Sequence, residues 1–162
     1  MSTPRRITFE YAANPDAVAA LLQNKAFLTQ RAQAAGETNI EVTVETVPDG
    51  FRVVVARDKE VDLPAFAKKM FKPQNRIIDD TTWRREGTQW VGDYEVQVAG
   101  IPGQVRGKST LAPSAKGCQY ESNFEVTARI PLVGAKLEGI VADRIEETFR
   151  FNAERNAEQF PS

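Results

Sequence analysis

From Thr38 onward the chain alternates apolar and polar residues with a period of two, and turn signals cut that alternation into short segments. Ile40, Val42 and Val44 share one face and Glu41, Thr43 and Glu45 the other; Pro48-Asp49-Gly50 turns the chain, and Phe51, Val53 and Val55 return. After a break that holds Pro64 and Pro73, three more signals follow: Glu86-Gly87-Thr88-Gln89, Gly100-Ile101-Pro102-Gly103, and Pro113 to Gly117. They divide residues 76–130 into four strands. Strands joined by such short connections pair antiparallel with their sequence neighbours, so this run is predicted to be a meander.

The flanks complete the plan. Ile7, Phe9 and Tyr11 alternate with Thr8 and Glu10, which predicts an opening strand over Arg6–Tyr11. Asn14-Pro15-Asp16 supplies a capping residue and a proline at the first helical position, with Val18, Leu21 and Leu22 as the apolar face. A second helix from about Lys25 to Ala34 carries Phe27 and Leu28 and ends at Gly36. After Pro131, the residues Val133, Leu137, Ile140, Val141, Ile145, Thr148, Phe149 and Asn152 fall on one helical face, while Lys136, Asp143, Glu146, Glu147, Arg150 and Glu154 fall elsewhere. The order is strand, two short helices, six strands and a long C-terminal helix, an α+β arrangement of an antiparallel sheet packed on one helix. At 162 residues it suits a single domain over residues 1–162. Gly134 and Gly139 stand in the opening turns of the last helix, where glycine costs about 1 kcal/mol against alanine. The expected reason is a close approach of helix to sheet.

Composition removes several functions. The chain has no histidine, so histidine-based triads, histidine-ligated zinc and histidine acid–base chemistry are excluded. Cys118 is the only cysteine; no internal disulfide or multi-cysteine metal site can form, and neither metal nor cofactor is expected. Lys+Arg total 21 against Asp+Glu 22, a formal net charge of -1, which recommends neither nucleic acid nor an anionic membrane as main partner. No long apolar window and no signal-peptide pattern at Met1–Arg6 is present, so the expectation is a cytoplasmic protein without integral membrane association.

Register follows from the turns. A two-residue loop at Gly87-Thr88 pairs Trp83 with Gly92, Thr81 with Tyr94, Asp79 with Val96 and Ile77 with Val98. Centring the next turn on Ile101-Pro102 pairs Val98 with Val105, Val96 with Gly107, Tyr94 with Ser109 and Glu95 with Lys108; centring the third near Ser114-Ala115 pairs Val105 with Phe124, Gly107 with Ser122, Ser109 with Tyr120 and Lys108 with Glu121. The middle of the inner face then holds an acid, hydroxyls and glycines where a packed core would hold aliphatics. Small residues leave volume and buried polar groups need partners, so a ligand cavity is predicted there. Its expected ligand-binding residues are Asp79, Thr81, Trp83, Tyr94, Ser109, Tyr120, Ser122 and Phe124 on the sheet, closed by Leu137, Ile140, Val141 and Ile145 from the helix. Each apolar member of that set serves equally well as core.

This element order, with LPAFAKKMF, TTWRREGTQWVGDYEV, GIPGQVRG and PLVGAKLEG along it, resembles the START-like superfamily, and within it an actinobacterial branch without assigned function. The resemblance implies the helix-grip fold, a seven-stranded curved antiparallel sheet around the long C-terminal helix, as in birch-pollen-allergen-like proteins and polyketide cyclases. It also implies a hydrophobic small-molecule ligand, lipid-like or polycyclic, between sheet and helix. No catalytic residue transfers, because histidine-dependent members have no counterpart here. Binding or transport is therefore read ahead of a cyclase/aromatase-like enzyme using Asp79, and ahead of a co-chaperone-type interaction module using the charged outer face of Asp93, Glu95, Arg106, Lys108, Glu121 and Glu125. Phe66, Met70 and Phe71 lie among Lys68, Lys69, Lys72 and Arg76. That mixture suits a lid in transient contact with anionic lipid, or, more plainly, a connecting helix with solvated lysines.

Overall fold

The alternating segments form the sheet that their turns imply. The computed structural model describes residues 3–69, 71–100 and 102–162. Along the chain run β1 (Thr3–Tyr11), α1 (Pro15–Leu21), α2 (Lys25–Ala34), β2 (Thr38–Val47), β3 (Gly50–Glu60), α3 (Ala65–Lys68), β4 (Gln74–Glu86), β5 (Gln89–Val98), β6 (Gly103–Pro113), β7 (Cys118–Ala128) and α4 (Gly134–Ala157). The sheet has seven antiparallel strands in the order β1-β7-β6-β5-β4-β3-β2, and α4 lies across its concave face nearest β7 and β1. This is the expected helix-grip arrangement, and the short α3 between β3 and β4 is the connecting helix expected there, with Lys68, Lys69 and Lys72 exposed.

Local chemistry sets the ends. Asn14 Oδ1 accepts the Ala17 N–H at 2.8 Å and Asn24 Oδ1 accepts the Phe27 N–H at 3.1 Å, so α1 and α2 are each capped by an asparagine. Beyond α2 the chain reverses through Gly36 at φ +78.

The β4–β5 register is the one the Gly87-Thr88 turn dictates, with Trp83 opposite Gly92 and Asp79 opposite Val96. The next two pairings differ from expectation by two residues. Val105 faces Val96 rather than Val98, Gly107 faces Tyr94 rather than Val96, and Ser109 faces Gly92 rather than Tyr94. Across β6 and β7, Val126 rather than Phe124 faces Val105, Phe124 faces Gly107, Ser122 faces Ser109 and Tyr120 faces Leu111. The cause lies in the turns. The β5–β6 connection is a wider loop, with Gly100 and Gly103 at φ +82 and +127, and its centre sits one residue earlier than expected; Ile101 lies outside the described residues. The β6–β7 loop spans Ser114–Gly117, closed by hydrogen bonds from Ser114 N to Gly117 O at 3.2 Å and back at 3.0 Å, so its centre sits one residue later. A shift of two keeps every side chain on its face but reassigns its neighbours. Lys108 consequently does not stand between Glu95 and Glu121: it faces Asp93, at 3.8 Å, and Asn123.

The start of α4 is pressed onto the end of β7. A Cβ on Gly134 would lie 2.7 Å from the Ala128 carbonyl oxygen, which is the expected close approach. The same expectation fails at Gly139, where a Cβ would meet nothing within 4 Å among the described residues. Beside Gly134 the buried Glu138 accepts the Ala128 N–H at 2.9 Å, a fixed contact that helical periodicity alone did not place on the inner face. These two glycines should therefore respond oppositely to alanine. Gly139→Ala is expected to stabilise by up to about 1 kcal/mol and Gly134→Ala to destabilise by about 1–3 kcal/mol through overpacking. Urea denaturation of the two variants checks this, and equal shifts would contradict the account of how α4 docks.

Candidate functional site

Among the described residues, hollows of two sizes separate the concave face from the helices. The larger, about 710 Å3, lies under the first part of α4. Its walls are aliphatic: Ile77, Val96, Val98, Val105 and Val126 from the sheet, Leu137, Val141 and Ile145 from α4, with Leu63 and Phe71 closing one end. The smaller, about 120 Å3, lies between the sheet and α1, α2 and the last turns of α4, and is lined by Tyr11, Arg31, Thr81, Trp83, Tyr94, Ser109, Tyr120, Asn152 and Asn156. Arg57, Asp79 and Phe149 line both and so mark the constriction between them. Phe149 is held there edge-on against Tyr94 and Phe124, at centroid distances of 5.6 and 5.7 Å.

The hydroxyl and glycine rows are therefore largely filled, and the expected relation between small residues and empty space is reversed. A Cβ on Gly92 would come within 2.8 Å of the Trp83 indole, and one on Gly107 within 2.3 Å of the Tyr94 ring. Each glycine is the floor on which a cross-strand aromatic ring lies flat. The hydroxyls satisfy one another: Tyr94 OH and Ser122 Oγ share a hydrogen bond at 2.7 Å, Ser109 Oγ donates to Ser122 Oγ at 3.1 Å, and Ser109 and Tyr120 meet at 3.3 Å. The room is instead above the β-branched row, which reads in sequence as ordinary core.

Of the residues expected from sequence, Asp79, Thr81, Trp83, Tyr94, Ser109 and Tyr120 line the smaller hollow. Asp79 together with Leu137, Val141 and Ile145 lines the larger. Ser122 and Phe124 are buried within the wall, and Ile140 packs with Leu63, Ala67 and Leu137 around α3. Sequence reasoning passed over Arg31, Glu37, Arg57 and Lys59. Two signals were available: Arg57 and Lys59 continue the inward parity of Phe51, Val53 and Val55 along β3, and Arg31 continues the helical stripe of Phe27 and Leu28.

These charges make the constriction polar. Glu37 lies 3.6 Å from Arg57 and 3.3 Å from Lys59. Arg31 donates to Asn156 Oδ1 at 3.1 Å, and Asn156 Nδ2 donates to the Tyr11 hydroxyl at 3.2 Å. Asp79 accepts from Thr81 Oγ1 at 3.3 Å. Removal from bulk water pushes the Asp79 carboxyl above its ordinary range, opposed by the positive fields of Arg57 and Arg31. The same desolvation raises Tyr11, Tyr94 and Tyr120, lowers the Arg31 guanidinium and pushes the Cys118 thiol up to about 11. Cys118 is an inert core residue on that account.

Around the larger hollow's mouth stand the exposed residues Glu60, Asp62, Glu147 and Pro102. Arg144 ties that rim together, donating to the Asp62 carbonyl and to Glu147, each at 3.0 Å. Phe66 and Phe71 turn inward onto Leu63, Ala67 and Leu137, and the Lys136 ammonium sits 4.4 Å above the Phe66 ring. Met70, the third member of the expected lid contact, lies outside the described residues. No helix among the described residues is long and apolar enough to cross a membrane.

Comparison with known proteins agrees with this geometry. Among solved structures, the Zhui aromatase/cyclase from Streptomyces sp. R1128 superposes with a TM-score of 0.67 at 14% identity, covering 98% of this chain and 93% of that one. A START superfamily protein from Mycobacterium smegmatis gives 0.55 at 10% identity, over 98% and 97% of the two chains. Norcoclaurine synthase from Thalictrum flavum gives 0.55 at 11%, over 98% and 86%. At these identities the likeness establishes the helix-grip fold. A search of curated proteins finds no match by sequence. A family model described as "Protein of unknown function (DUF2505)" matches residues 6–158.

The buried carboxyl yields a pH prediction. Because the folded pKa of Asp79 is raised above its ordinary 3.8, the unfolded chain binds fewer protons at this site, and stability falls as pH rises from 3.8 through the folded value. Asp79→Asn is expected to be more stable than wild type at neutral pH and to lose that advantage as pH drops below 3.8. Denaturant unfolding across that range checks it; an asparagine variant less stable at neutral pH would show that the arginine fields outweigh desolvation.

Proposed function

The chain belongs to the DUF2505 family of proteins of unknown function, and on that premise we propose from its own geometry that it binds or carries a hydrophobic small molecule, lipid-like or polycyclic, between the sheet and α4. One observation carries the proposal: a hollow of about 710 Å3 with largely aliphatic walls between the sheet and α4. Native cores keep few voids larger than a water molecule, whereas ligand sites span about 300–1,000 Å3. Apolar residues projecting into unfilled space lose the contacts that stabilise a core, so an apolar occupant supplies what this wall lacks.

Chemistry on the bound molecule is a second reading, favoured by one feature. Asp79 projects into the constriction with its ionised form disfavoured, near the hydroxyls of Tyr94 and Tyr120, as an acid or base acting on a carbonyl compound would. The likeness to an aromatase/cyclase is one of fold and adds no residue to this. An interaction module on the convex face has less support, since charges of both signs answer one another there: Arg84 with Asp93 at 2.5 Å, Arg52 with Asp80 at 2.7 Å, Arg106 with Glu95 at 3.7 Å, and Arg6 with Glu121.

Native mass spectrometry of protein taken from cells is expected to show a co-purifying apolar ligand. A ligand at 100 times its dissociation constant should raise unfolding stability by about 2.7 kcal/mol. Absence of any melting shift across a broad lipid and polyketide panel would remove the binding proposal. For the second reading, Asp79→Asn is expected to abolish turnover while ligand affinity survives; undiminished turnover would take Asp79 out of the chemistry.

A further inference from the structure

An apolar wall explains the body of the ligand, and the charges at the constriction bear on its head. Arg57 is 6% exposed, in the interior wall shared by both hollows. Among the described residues its Nε has no hydrogen-bond partner, the Glu37 carboxylate standing 3.6 Å away, and its Nη1 donates to the Val55 carbonyl at 3.4 Å. Two residues along β3, Lys59 lies on the larger hollow, with its Nζ 3.3 Å from Glu37 and 3.3 Å from Thr148 Oγ1. Arg31 approaches from the other side. Among the described residues these three cations face the carboxyl groups of Glu37 and Asp79, and Asp79 forms a salt bridge with none of them.

A buried guanidinium with an unanswered N–H is costly, and native interiors rarely keep one without something to satisfy it. Its planar fork matches a carboxylate through two parallel hydrogen bonds. The residual local charge is positive, so an anion is favoured at this point and an ammonium group opposed.

We propose that the ligand is a hydrophobic carboxylate, its acid group held by Arg57 with Lys59 beside it and its apolar body lying in the larger hollow against Ile77, Val96, Val141 and Ile145. This rests on the reading of that hollow as a ligand site and adds the chemical class of the head group. Fatty acids and ring-bearing carboxylic acids share the chemistry; the body, not the head, tells them apart.

Three fluorescent probes that differ only in their head, pyrenebutyric acid, pyrenebutanol and pyrenebutylamine, test this on the whole protein at about pH 8, where the acid is fully ionised. The acid is expected to bind at least about tenfold more tightly than the alcohol, the scale of a charge-assisted hydrogen bond. Arg57→Met should abolish the preference for the acid over the alcohol, and Arg57→Lys should restore part of it. Displacement of the pyrene acid by dodecanoic acid would assign a chain-like body, and failure of displacement a ring-like one, either being consistent with the carboxylate. Equal binding of acid and alcohol overturns the carboxylate while leaving the hollow as a binding site for neutral molecules. Preference for the amine, lost in Asp79→Asn, overturns it in favour of recognition by Asp79. Binding of none of the probes or of dodecanoic acid overturns both this proposal and the reading of the hollow on which it rests. Because the head-group comparison is decided on the wild-type chain, it stands even if the Arg57 variants do not fold.

Discussion

A straight helix laid across a curved sheet can touch it in some places only, and that constraint shapes the interior of this protein. The 24 residues of α4 extend about 36 Å. It is pinned at its start, where Gly134 and Glu138 meet Ala128, along one side by Arg5 against Asp143 at 2.7 Å and Glu146 at 3.3 Å, and near its end by Asn156 against Tyr11. Phe149 supplies the interior support, resting edge-on against Tyr94 and Phe124. Where the sheet falls away from the helix between these supports, side chains of valine length do not bridge the gap.

The two ends of the concave face solve that gap differently. Toward α1 and α2, aromatic rings lie over glycines and hydroxyls pair with hydroxyls, so the polar rows close on themselves and leave about 120 Å3. Toward α3, the sheet wall is largely β-branched and about 710 Å3 remains. The boundary is charged because β3 runs past it with Arg57 and Lys59 still on the inward parity, while α2 brings Arg31 and the chain just after it brings Glu37. An apolar compartment ending on a partly neutralised cationic wall is a consequence of that geometry, and it makes the site amphipathic rather than merely greasy.

Much of the fold was legible locally. The Gly87-Thr88 turn fixed the β4–β5 register because a two-residue loop leaves no slack, whereas the wider loops after β5 and β6 each allowed a displacement of two residues that periodicity cannot detect. Candidate site residues were placed on the correct face for the same reason, since parity survives such a shift. Which of them border open space was not legible. Gly92 and Gly107 looked like absences of volume, but whether a glycine leaves a hole or a bed for a ring depends on the rotamer of the residue across the strand. Gly134 and Gly139 looked alike in sequence and differ completely in surroundings, because a helix approaches its sheet over one turn and has rotated and risen away by the next.

By itself, then, the sequence determined the alternation, the segments within which the chain turns, the Asn14 cap and the amphipathic stripe of α4, since each is a property of residues a few positions apart. It also determined what chemistry is absent, for a chain without histidine cannot perform histidine's work. The tertiary structure alone decided where the room is and what charge borders it. Those are set by the distance between a helix and strands far away along the chain, and by which of several equivalent neighbours lies across from a given side chain, quantities that no local pattern encodes.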